Sequence, residues 1–357
     1  MDLKRSVAVA SAAALLFVAC GGESEVAEEP TPTPGVVQPG RANWETGYFQ
    51  AAVYSALLEE LGYVVGDPAE HEYPPVEAYR AMAEGAFDFW ANGWYSQHLT
   101  WHEDELPDGS PIGDHLVILG EQVVAAALEG LVITKSVADD HGIRSLDQIN
   151  ADPELVALFD TDGDGLGEIH GCPESWTCDD IIDELIEFND WSNLEQVKAE
   201  YPGLVRATIE RVRAGEPAIQ YTWSPSGHLE DLSPGHAVYW LSVGDNSHVL
   251  DGTTAGGYDF AAAPPAPFGE QCTGNPCWIG WEVSDIQVTA NRAFAEANPM
   301  AARLFEVVVL PIEDIVAQNL RYQDGENGEA DVRRHAQEWI AANRAVVDAW
   351  LTAARTN

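Results

Sequence analysis

From residue 42 onward the chain alternates between two hydrophobic periods. Residues 51–61 carry Val53, Tyr54, Leu57, Leu58 and Leu61 on one helical stripe. Gly62 follows as a C-terminal cap. Tyr63-Val64-Val65 reads as a short strand. Pro75 opens a second helix with Val76, Tyr79 and Met82 on one face, ending at Gly85. Strands are predicted over 86–91, 116–119, 123–127 and 131–134, and later over 218–221, 237–243 and 286–290. Helices are predicted over 137–142, 153–159, 179–188, 201–214 and 299–308. A last helix over 330–353 lines up Val332, Ala336, Trp339, Ile340, Val346, Val347, Trp350 and Leu351. No repeat is visible, and the alternation predicts an α/β fold with helices on both faces of its sheets. Residues 252–278 are rich in glycine and proline. A connection of that length is functional or needs a staple.

The first 41 residues have a different character. Lys4 and Arg5 precede an apolar run over 7–18, too short to span a bilayer. It ends in Phe17-Val18-Ala19-Cys20, the shape of a bacterial lipoprotein signal cleaved before Cys20. An ordinary secretory signal is the plainer reading, and export follows from either. Residues 20–41, rich in Glu, Pro, Thr and Gly without apolar periodicity, predict a disordered tether. The folded part is then expected to start near Ala42.

Charge narrows the partners. Against 59 acidic residues stand 17 basic ones, a formal net charge of −42, and Lys4, Lys135 and Lys198 are the lysines. Such a surface repels nucleic acid and anionic membranes, so the membrane is reached through the lipid alone. It suits high salt, where self-repulsion is screened. Of the five cysteines, Cys20 belongs to the lipid. Cys172 with Cys178, and Cys272 with Cys277, are natural local disulfides in an exported chain. Zinc is the competing idea, but neither pair has C-x2-C spacing.

Most of the 12 tryptophans belong to core or edges. Three are poorly explained that way. Trp94 in NGWYSQH and Trp223 in YTWSPSG each follow a predicted strand, where open α/β sheets bind ligands. Trp176 sits in the short polar loop between Cys172 and Cys178. A quaternary ammonium is a full positive charge without an N–H donor, wrapped in apolar methyl groups. Indole faces satisfy both properties, each by about 0.5–2 kcal/mol. Thr177 and Cys178 stand at the predicted start of the helix over 179–188, where free backbone N–H groups and the helix dipole favour an anion. With His98 they would receive a carboxylate. A cation in an indole cage and a carboxylate at a helix end describe a betaine; His98 alone reads as a surface histidine.

From about Trp44 to Leu351 the chain resembles the substrate-binding proteins of glycine betaine/proline betaine ABC transporters. The stretches that carry the resemblance are GWYSQH (93–98), LFDTDGDG (158–165), GCPESWTC (171–178), YTWSP (221–225) and ANPMAARLFEVVVLPIEDIVAQN (297–319). The resemblance implies a two-lobed, type II periplasmic-binding-protein fold with the ligand cleft between the lobes. Residues 42–127 and 243–357 would form one lobe and 128–242 the other. It implies a tryptophan box of Trp94, Trp176 and Trp223, carboxylate contacts from His98, Thr177 and Cys178, and a Cys172–Cys178 disulfide. It implies a monomer that captures glycine betaine and delivers it to a membrane permease with a cytoplasmic ATPase. Choline, carnitine and proline betaine are the alternative ligands. The Cys272–Cys277 loop departs from the family pattern, and Ser226-Gly227 stands where a bulkier aromatic is expected. Both departures would alter the edge of the cleft or the room beside the box.

No cofactor is required, but DTDGDGLGE over 160–168 matches the front of an EF-hand calcium loop. Its ligands would be Asp160, Asp162, Asp164, the Leu166 carbonyl and Glu168. Position 12 is Gly171 instead of glutamate, so a bidentate ligand must come from elsewhere. The chain has no Gly-x-Ser-x-Gly elbow, P-loop, HExxH or CxxC. A binder is therefore expected, with an enzyme or a non-transport surface scaffold as the other classes.

Overall fold

The computed structural model describes residues 35–356 apart from 96, 246 and 249–267. The predicted signal segment, Cys20 and most of the tether lie outside the described residues, as does much of the 252–278 stretch. Eleven strands are described: β1 Val36–Val37, β2 Pro39–Ala42, β3 Val64–Val65, β4 Glu72–Tyr73, β5 Phe89–Tyr95, β6 Leu116–Thr134, β7 Gly167–His170, β8 Leu194–Val197, β9 Ile219–Ser224, β10 Val238–Trp240 and β11 Ser284–Asn291. The first helices are α1 Thr46–Glu60, α2 Pro75–Ala83, α3 Lys135–His141, α4 Leu146–Ala151, α5 Pro153–Phe159, α6 Thr177–Phe188 and α7 Tyr201–Ala214. Then come α8 Arg292–Ala297, α9 Pro299–Val307, α10 Ile312–Gln323, α11 Glu329–Ala342 and α12 Arg344–Arg355.

One sheet runs through the molecule in the order β4-β2-β5-β11-β6-β9-β7-β8, with β10 also on β6. The 19-residue β6 organises it. Its first part pairs with β11, ending at Ala127 opposite Ser284. Its second part pairs with β9, beginning at Leu128 opposite Ser224. Register shifts along β11 mark bulges, which curl the sheet. The three short strands expected over 116–134 are thus one strand whose neighbour changes midway. Helices cover the two halves, α1 packing against β2, β5 and α11, and α9 against β6 and α12.

Three expectations are corrected. The fold begins at β1, not at Ala42: Val36 and Val37 pair with Val64 and Val65, and Pro39-Gly40 pairs with Phe89-Trp90. Gly40 belongs there because a Cβ at that position would lie 2.5 Å from the Phe87 ring. Arg41 then ties β2 to α11 through Glu329 at 2.7 Å, its guanidinium 4.0 Å over the Tyr48 ring. None of this shows as apolar alternation. The predicted last helix is two, divided at Asn343, whose N–H and side chain both bond to the Trp339 carbonyl at 2.9 Å. A straight helix would set Trp339 and Trp350 about 16 Å apart along its axis; the break lets them stack at 6.1 Å. Finally, Trp94 and Trp223 lie inside the C-terminal ends of β5 and β9, not after them.

Candidate ligand-binding site

The six expected residues Trp94, His98, Trp176, Thr177, Cys178 and Trp223 all line one cavity of about 350 Å³, counted out to solvent. Five more residues share the lining: Trp44, Pro75, Gln97, Glu129 and Tyr221.

Trp94 reaches it from β5, where alternation puts Asn92 on the same face. The buried Asn92 Oδ1 accepts the indole N–H of Trp94 at 3.0 Å and that of Trp44 at 2.9 Å. Its amide donates to Gln50 Oε1 at 2.5 Å. One amide therefore fixes two indoles. Trp176 is the residue before α6, and its ring lies edge-on to Trp44 at 5.3 Å and to Trp223 at 5.8 Å. Its N–H donates to Asn43 Oδ1 at 3.0 Å. Tyr201, from the start of α7, stacks on Trp176 at 5.5 Å and tilts against Trp223 at 4.6 Å.

The polar end follows from α6. A helix usually begins with Ser, Thr, Asp or Asn, whose side chain satisfies the first N–H groups. Here the cap is Trp176, which makes no such bond. Thr177 and Cys178 are the first two helical residues, so their N–H groups have no intrahelical acceptor. The Cys172–Cys178 disulfide ties this turn back to the end of β7. The second disulfide, Cys272–Cys277, also forms.

His98 is buried in the 3-10 turn Gln97–His102. Its Nδ1 accepts the Trp94 backbone N–H at 3.2 Å, so the Tyr79 hydroxyl, at 2.7 Å, must donate as well. The hydrogen therefore sits on Nε2, the donor the ring offers the cavity. Burial, helped by neighbouring His102, lowers the His98 pKa to about 3. The site presents neutral donors and aromatic faces to a ligand.

Sequence reading missed Trp44, Asn92, Gln97, Tyr221 and Glu129. Gln97 and Tyr221 stand inside GWYSQH and YTWSP. Tyr221 precedes Trp223 by two, and so faces the same side of β9. Glu129 was marked only by being a lone acid in an apolar run. Two expectations about the cleft edge are corrected. Ser226 and Gly227 do not line the cavity; Gln323 fills the space a side chain at Gly227 would need. Cys272 and Thr273 lie against β10, outside the cavity lining.

The Asp160 loop stands apart from the cavity lining. Carboxylate oxygens of Asp160, Asp162 and Asp164 come within 4.8 Å of one another, as do those of Asp162, Glu168 and Glu195. The three aspartates also shape the turn, Asp160 accepting from Gly163 N and Gly165 N, Asp162 from Asp164 N, and Asp164 from Leu166 N.

A two-lobed α/β fold with an indole-walled cleft defines a solute-binding protein of the type II class. This chain belongs to the family of substrate-binding domains of ABC-type glycine betaine transport systems, whose model matches residues 35–342. It is 33% identical over 332 residues to the glycine betaine-binding periplasmic protein OusX of Dickeya dadantii, covering 92% of this chain and 93% of that one. It is 32% identical over 307 residues to the glycine betaine/proline betaine-binding periplasmic protein of Escherichia coli, covering 86% of each. In fold it is similar to lactococcal OpuAC in its closed, glycine betaine-liganded form, with TM-score 0.62, 15% identity, and 89% of this chain and 99% of that chain covered. An ABC-transporter choline-binding protein in complex with choline gives TM-score 0.63 at 15% identity, covering 89% and 91%. The relatives are solute-binding proteins, and so is this chain, rather than an enzyme. Among the described residues no helix is long and apolar enough to cross a membrane.

Proposed function

We propose that this protein captures glycine betaine, or a related quaternary ammonium solute, outside the cytoplasm and hands it to an ABC permease driven by a separate ATPase. One observation carries the reading: Trp94, Trp176 and Trp223 share a cavity with His98 and the first turn of α6. The trimethylammonium group lies among the indoles. The carboxylate takes hydrogen bonds from His98 Nε2 and from the backbone N–H of Thr177 and Cys178. The bounds expected at 42 and 243 shift: the described residues of 35–127 with 284–356 form one lobe, and those of 128–248 with 268–281 the other, because Val243 bonds to Asp147 and Trp278 and Thr273 bonds to Trp240. The ligand therefore bridges both and favours the closed form. The neighbour change of β6 between Ala127 and Leu128 supports this division. The mature chain acts as a monomer held to the membrane by lipid on Cys20.

Calorimetry with glycine betaine, proline betaine, choline, carnitine and proline tests the ligand class. Binding of the methylated ammonium compounds, with a tryptophan fluorescence change and no turnover, is expected. A panel in which none of them binds would remove the reading.

Calcium in the Asp160 loop is a second, separate proposal. Its support is the closeness of the Asp160, Asp162 and Asp164 carboxylates, with Glu195 adding an acid beside Asp162 and Glu168. Burial and then repulsion from these neighbours push the Glu195 carboxyl up, a cost a cation would relieve. A melting temperature unmoved by millimolar calcium would end it.

A further inference from the structure

Glu129 is a buried acid that the indole cage does not use. It lies on β6 directly opposite Trp223 of β9, so the two side chains share a face and start about 5 Å apart. It is 5% exposed and lines the cavity. Its two oxygens are held by neutral donors: the Tyr221 hydroxyl donates to Oε1 and the Gln97 amide to Oε2. Gln97 is steadied in turn by Ser284 Oγ at 3.1 Å. No lysine or arginine lines the cavity among the described residues. A carboxylate so buried lacks a counter-charge, and burial pushes its carboxyl up to about 7, against the lowering bonds from Tyr221 and Gln97. The missing positive charge has the address of the ligand's ammonium, beside Trp223.

We propose that Glu129 is the counter-ion of the ligand's quaternary ammonium and a specificity-determining residue of the site. Binding drives the Glu129 carboxyl to carboxylate, and its proton leaves to the buffer; no bond to the ligand forms. The inference rests on the betaine reading above, which assigns the cation to the indoles. Glu129 adds what an uncharged cage lacks: discrimination for a full positive charge, and a dependence of affinity on pH. Of the titratable groups around it, His98 is neutral above about pH 3. Burial first, and then the Glu129 charge, hold the Tyr221 hydroxyl far above neutrality. Burial also raises Tyr201, which packs on Trp223. Cys178, on α6, is oxidised. Asp179 of the same turn is paired with Lys198 at 2.8 Å. His228, its Nε2 2.7 Å from Glu45 Oε1, lies edge-on to Trp223 at 6.5 Å.

The test is titration calorimetry of the full-length protein with glycine betaine and with choline. Each titration is run at pH 7 in two buffers of different ionisation enthalpy, and then across pH 6–8. Release of about half a proton is expected with both ligands, since a group with pKa near 7 is half protonated there. Affinity should rise about fivefold from pH 6 to pH 8 if the cation lowers that pKa by about one unit. In Glu129→Gln the proton release and the pH slope should vanish, whereas a release that survives comes from another group and overturns the assignment. Buffer-independent heats in the native protein would also overturn it. So would proton uptake, which would place Glu129 against the ligand's carboxylate. These outcomes all require binding, so they are distinct from a panel in which nothing binds.

Discussion

The two walls of the cavity are built by different means. On the β5 side, Trp94 and Trp44 are oriented by hydrogen bonds to the single buried carbonyl of Asn92. On the α6 side, Trp176 and Trp223 are oriented by ring contacts with Tyr201, with one further hydrogen bond from Trp176 to Asn43, and a disulfide closes the loop beneath them. The first wall depends on one polar atom, and removing that atom orphans several partners at once. The second depends on distributed aromatic contact and a covalent loop, so it degrades more gradually.

Asn92→Ala should produce the largest effect. It leaves two indole N–H groups and the Gln50 carbonyl unpaired in the interior, at about 3 kcal/mol in total, since each orphaned group costs about 1–3 kcal/mol without simple addition. Urea unfolding reads the loss, and an unchanged midpoint would mean Asn92 does not hold the wall. Replacing both Cys172 and Cys178 by serine should cost about 2 kcal/mol, the value for so short a loop. Betaine affinity should fall with it, because the Thr177 and Cys178 N–H groups lose their fixed position. Trp94→Ala and Trp176→Ala should each weaken betaine binding by about 1–3 kcal/mol in calorimetry. Equal losses at both positions would make the difference between the walls one of construction only.

The smallest effect expected is none. In Glu129→Gln, betaine affinity should be flat from pH 5 to pH 8. Burial holds the His98 pKa at about 3, below its unfolded value near 6.5. The stability it lends is therefore full above about pH 6.5 and is lost as pH falls toward 3, while the folded ring stays a neutral donor across the tested range. A slope near pH 6.5 in that variant would show that His98 titrates normally and is not desolvated.

The contrast between the walls also explains what could be read from the sequence. Trp94, Trp176 and Trp223 were legible because each sits where turn residues make core packing a poor explanation. Thr177 and Cys178 were legible because a helix start exposes N–H groups whatever the side chains are. Asn92 was not, since its role is to bond two indoles 48 and 2 residues away, and nothing in ANGW announces the longer contact. Glu129 was hidden because alternation registers a lone acid as noise in an apolar run. The order of most elements followed from periodicity. Strand ends did not, because β5 and β9 continue through glycine and polar residues that pairing, and not propensity, holds extended. The β2 segment was missed for the same reason, its place being fixed by neighbours on both sides.

The shared strand β6 has one more consequence. Each half of the sheet borrows its backbone from the same ribbon, and the exchange of neighbours at Ala127–Leu128 lies two residues before Glu129. Parting the halves must therefore flex that ribbon where it changes allegiance, instead of swinging them on a slack connector. In the complex proposed above, the acid facing the cation rides beside the pivot, so the grip on the solute and the angle of the jaws are set by the same few peptide units.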